Sequence, residues 1–134
     1  MNKPTTANQW LLRMALLANV GFSITSAAVA VFWKEVVMRW LSISKDFGIL
    51  FLGVGLMIFA VWLLINSVRT NIKLQDARIA VAIDLAWVAL SGLVVVFAPL
   101  ASQGRWVVTV IAAVVLSFAV TQWLGIQRIN RVGQ

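Results

Sequence analysis

The chain has 134 residues, of which 62% are hydrophobic and 11% charged, with a formal net charge of +7. A soluble domain is about half apolar and about a quarter charged. Cysteine and histidine are both absent, which excludes disulfides, thiolate metal sites and bis-histidine haem ligation. The basic residues stand singly at the ends of apolar runs instead of clustering with aromatics on a polar face, so the charge does not point to nucleic acid.

In chain order, four apolar runs at 14–33, 48–67, 79–98 and 106–126 each approach the ~20 residues needed to cross a bilayer core. None contains proline. A chain this short cannot build a soluble core that hides four helices apolar on nearly every face. The sequence therefore predicts one all-α integral membrane domain over residues 1–134, a four-transmembrane-helix up-down bundle. Its first run begins like a secretory signal, with Lys3 and Arg13 as a basic start and Ala28-Val29-Ala30 as a small-residue site. Asn19 interrupts that run, however, and its length suffices to span, so it is read as a retained helix.

With four spans, both termini share a side. That side carries Lys3, Arg13, Arg69, Lys73, Arg78, Arg128 and Arg131, whereas the other carries Lys34, Arg39, Lys45 and Arg105. The excess of Lys and Arg places the termini and the central loop in the cytoplasm of a bacterial-type inner (plasma) membrane. Tryptophan supports the same boundaries. Trp10 and Trp123 fall at the inner interface and Trp33, Trp40 and Trp106 at the outer one, where an indole buries its ring and keeps its N–H wet. Trp62 and Trp87 lie deeper and are read as packing between helices.

The first outer connection, 34–46, spaces Val36, Val37, Trp40 and Leu41 on one helical face, which predicts a short helix lying in the interface. The second, Pro99 to Arg105, reads as a tight turn broken by Pro99 and Gly104. The inner loop from Thr70 to Asp76 is polar, with Asp76 as the expected N-cap of the third span. Gly48, Gly53 and Gly55 on the second span, and the row Ala18, Phe22, Ser26 and Ala30 on the first, predict close helix contacts.

The chain also reads as one hairpin written twice. A shift of 65 residues sets Arg13 on Arg78, Asn19 on Asp84, Phe22 on Trp87, Ser26 on Ser91 and Phe32 on Phe97. A shift of 59 sets Phe59-Ala60-Val61 on Phe118-Ala119-Val120 and Arg69 on Arg128. Both copies would then share an orientation, related by an axis along the membrane normal.

Asp84 is the one acid inside an apolar run. Asn19, Phe22 and Ser26 share a helical face, and so do Asp84, Trp87 and Ser91. Asn19 and Asp84 each fall about 8 Å inside the inner boundary, and Asn66 and Gln122 occupy the same inner third. These four form a predicted intramembrane polar cluster, with Arg13, Arg69, Arg78 and Arg128 just below as candidate charge partners. A carboxylate at that depth costs about 2–3 kcal/mol to insert and seldom faces lipid. One reading makes it an orienting contact between hairpins, contributing about 0.6–2 kcal/mol. The other makes it a proton carrier or cation site lining an inward-open cavity.

Catalysis is not expected. No histidine can act as base, no second carboxylate shares the depth of Asp84, and no serine or threonine has an activating partner. Glycine-rich phosphate loops, metal motifs and cofactor signatures are missing too. The first expectation is a non-catalytic accessory or scaffold subunit of a membrane assembly, its partners being the bilayer and either another membrane protein or further copies of itself. The alternative is a proton-coupled small-molecule transporter using Asp84.

Overall fold

A computed structural model describes residues 9–132 of the chain; Lys3, counted above among the inner charges, lies outside them. Every regular element among the described residues is a helix: α1 (Trp10–Phe32), α2 (Lys34–Leu41), α3 (Asp46–Val68), α4 (Leu74–Phe97) and α5 (Ser102–Val132). Four of these, α1, α3, α4 and α5, are long and apolar enough to cross a membrane. All four run past the apolar stretches that announced them. Hydrophobicity marks the lipid-soluble length only, whereas backbone hydrogen bonding continues through good helix formers such as Gln127, Arg128 and Arg131.

The short helix expected in the first long connection is α2. Its Val36, Val37, Trp40 and Leu41 are half-buried, while Glu35 and Arg39 are exposed. It ends at Ser42, which takes a left-handed conformation (φ 54°), and the Ile43 N–H donates to the Met38 carbonyl at 3.0 Å. This is the wrap-around closure that usually employs glycine. Asp76 does not cap α4. Lys73 holds the cap position with extended backbone, and Asp76 sits inside the first turn, where it accepts from Arg69 Nη1 at 3.2 Å. A carboxylate there still meets the positive end of the helix dipole.

Packing is uneven. α1 lies against α3 on one side and α5 on the other, and α5 lies against α4, but α3 and α4 scarcely touch although a short connection joins them. Glycine permits the tightest approach. A Cβ on Gly125 of α5 would fall 2.9 Å from Leu12 Cβ and 3.0 Å from Leu12 Cα of α1. At the opposite end, a Cβ on Gly104 would overlap the carbonyl of Trp40, so α2 rests directly on the first turn of α5.

Leu12, Leu16, Leu63, Ile72, Ile126 and Ile129 bury themselves together at the end of the molecule that holds the start of α1, the α3–α4 connection and the end of α5; this is the terminal end below. Lipid tails are as apolar as leucine, so close van der Waals fit and polar contacts, not water exclusion, hold such an interface. The first turn of α1 also ties the connection down. Gln9 Oε1 accepts from the Ile72 N–H at 3.0 Å, and Arg13 Nη2 donates to the Arg69 carbonyl at 2.8 Å.

Candidate functional site

Three of the four residues in the predicted polar cluster meet. Asp84 Oδ2 accepts from Asn19 Nδ2 at 2.8 Å and from Gln122 Nε2 at 3.1 Å, so α1, α4 and α5 are pinned at one point. Ser23, one turn along α1, donates its hydroxyl to Asn19 Oδ1 at 3.4 Å. Asn19, Asp84 and Gln122 are all buried. The fourth residue, Asn66, stands apart: its Nδ2 donates to the Trp62 carbonyl of its own helix at 2.9 Å, and its buried Oδ1 has no partner among the described residues. A shared depth therefore did not mean a shared site.

The arginines do not neutralise Asp84. Arg13 serves the α3–α4 connection and Arg69 pairs with Asp76. Arg78 and Arg128 are exposed. A guanidinium nearer the helix end finds carbonyls or water at less cost than it would find by entering an apolar interior. Among the described residues, the carboxyl group thus has two primary amides as hydrogen-bond partners and no cation. Its second oxygen, Oδ1, accepts no hydrogen bond among the described residues.

Gln122 gives this arrangement two chemical states. As placed, Nε2 donates to the carboxylate while its buried Oε1 has no partner among the described residues. Half a turn of the amide exchanges donor for acceptor, so a protonated Asp84 can donate its O–H to Oε1.

Asp84 also forms part of the wall of a cavity of about 720 Å3. The cavity runs from Asn19 and Asp84 past Phe22, Ser26, Trp87 and Ser91 to Val37, Trp40 and Leu41 of α2, with Phe51 and Phe59 of α3 on its far wall. It occupies the space between α3 and α4, over a floor where Phe22 of α1 meets Phe118 of α5 edge-on at 5.6 Å. The space extends from Asn19 and Asp84 toward α2, away from the packed terminal end. Phe22, Ser26 and Ala30 of that row border this cavity, as do Gly48 and Gly55. Small side chains there leave space open.

The tryptophans divide. Trp10, Trp33, Trp106 and Trp123 present exposed rings, whereas Trp40 is half-buried and contributes to the cavity. Trp62 stacks on Phe59 at 6.1 Å within α3. Sequence reasoning missed Gln9 and Gly125 and read Gly104 as a turn breaker, whereas it lies in the first turn of α5; each acts through a contact distant in the chain. A polar residue next to Trp10 and lone glycines in helices carry no local signature of such contacts.

Comparison with protein-family models, with curated proteins and with solved structures finds no match to this chain.

Proposed function

We propose that this chain is a non-catalytic multi-pass protein of a bacterial-type inner membrane, with cytoplasmic termini, that holds a lipophilic small molecule in the crevice between α3 and α4. The observation that carries this reading is the cavity of about 720 Å3, apolar along its walls and bounded by one buried carboxyl group. Ligand sites have this character: about 300–1,000 Å3, mainly hydrophobic and aromatic, with few polar groups that fix orientation. Closure at the terminal end and space toward α2 correspond to one state of a carrier, and the two-state Asp84–Gln122 pair suits proton coupling. The transporter reading thus gains on the accessory-subunit reading.

The up-down bundle of two pseudo-repeated hairpins, α1–α3 and α4–α5, belongs to the same proposal. Asn19 and Asp84, 65 positions apart, meet side chain to side chain, as residues near a common axis would. At the shift of 59, Asn66 stands where the second copy has Gly125. One seam, α1 with α5, can then close on glycine, while its counterpart, α4 with α3, stays apart.

Native purification followed by identification of all bound components tests this function. A lipophilic molecule should accompany the natural chain and be lost from Ser26→Phe, which places a ring in the cavity. A stoichiometric protein partner with an empty crevice would instead support the accessory-subunit reading, for which the scant contact between α3 and α4 is the favouring observation.

A further inference from the structure

We infer that the crevice selects lipophilic cations, holding the positive centre at the free oxygen of Asp84 and the apolar body between α3 and α4; this rests on the ligand-binding reading above. Among the described residues, Asp84 is the one ionisable side chain on the cavity wall, and no lysine or arginine shares it. Its polar neighbours are uncharged on every element that reaches it: Asn19 and Ser23 of α1 and Gln122 of α5. Both amides donate to Oδ2, which leaves Oδ1 to meet a ligand. A carboxylate in such surroundings attracts a cation far more strongly than it would in water and repels an anion.

The walls point the same way. Phe22, Trp40, Phe51, Phe59 and Trp87 all border the space, and each ring presents a negative face that attracts an organic cation. Trp87 lies one helical turn beyond Asp84, and Phe22 one turn beyond Asn19, so rings flank the carboxyl group. A phospholipid headgroup would bring its phosphate toward Asp84, which opposes entry of an anionic lipid.

Two probes of equal shape and opposite charge, tetraphenylphosphonium and tetraphenylborate, decide the matter. Equilibrium dialysis would compare the full chain in phosphatidylcholine nanodiscs with protein-free nanodiscs. Expected is saturable phosphonium binding, no borate binding above bilayer partition, and a loss of at least about tenfold in phosphonium affinity in Asp84→Asn. Equal binding of both ions, or unchanged phosphonium affinity in Asp84→Asn, would overturn the assignment. If that variant does not fold, the two-ion comparison on the natural chain decides alone. Neutral diphenylhexatriene separates the two levels of the proposal. Should it bind the natural chain and not Ser26→Phe while the ions behave alike, the crevice stands and cation selection falls. If none of the three probes binds, both fall.

Discussion

The two ends of this molecule use similar residues to opposite effect. At the terminal end, α1 is gripped by α3 and α5, Gly125 brings α5 within a Cβ radius of Leu12, and Gln9 and Arg13 hold the α3–α4 connection. Toward α2, Gly104 lets α5 meet the Trp40 carbonyl, but Gly48 and Gly55 of α3 meet nothing where a Cβ would stand, and α3 and α4 leave the crevice between them. A glycine in an apolar helix therefore signals neither contact nor cavity until its partner is known. Gly125 removes a side chain so that a neighbour can come close; Gly55 removes one and no neighbour comes. Asp84 sits at the border between these regimes, fixed by amides from the packed side and facing the open one.

The largest expected effect tests that border from the packed side. Gly125→Leu forces α1 and α5 apart and should cost about 1–3 kcal/mol or more, read as a lower midpoint in detergent-induced unfolding. Gly55→Leu at the open end should change the midpoint by less than ~0.5 kcal/mol. Equal losses would erase the distinction between the two ends. Next comes the junction. Asn19→Ala removes the shorter of the two hydrogen bonds to Asp84 and should destabilise by about 1–2 kcal/mol. A double-mutant cycle of Asn19→Ala with Asp84→Ala should return a coupling of about 0.6–1.7 kcal/mol; zero coupling would mean that the contact does not join α1 to α4.

The clamp comes third. Gln9→Leu leaves the buried Ile72 N–H without its acceptor, at about 1 kcal/mol, and amide exchange should quicken around residue 72 while α5 stays protected. Smallest is the exposed pair at the open end, where Lys34 Nζ lies 2.6 Å from Asp46. The hydrogen bond and charge of Asp46 raise the Lys34 pKa above its usual 10.5. Its contribution is therefore complete below the ordinary lysine value and is lost as pH rises through the raised one. Lys34→Gln should leave thermal stability unchanged at physiological salt, because exposed pairs are screened. A clear loss would make the open end more firmly held than the packing implies.

Much of this was legible in the sequence, and the limits have physical causes. Four long apolar helices and the short α2 follow from run length and periodicity, properties that each segment carries alone. The meeting of Asn19, Asp84 and Gln122 was legible because buried polar groups must find one another in an apolar medium. Asn66 departed from the same logic: its Nδ2 donates to the Trp62 carbonyl of its own helix. Asp76 went to Arg69 instead of the cap because a nearby cation offered more than an orphan N–H. The direction of the cavity could not be read, since it depends on which pair of helices fails to close, and sequence shifts alone treat the two seams as equivalent.

Absence of cysteine makes the most direct test simple. Single cysteines at Ser26, on the cavity wall, and at Ala80, fully buried in the packed end, would be challenged with a lipophilic maleimide in intact membranes. The account predicts rapid modification of Ser26→Cys and protection of Ala80→Cys until the protein is unfolded. Equal rates at the two positions, or protection of Ser26→Cys alone, would contradict a molecule packed at one end and open at the other.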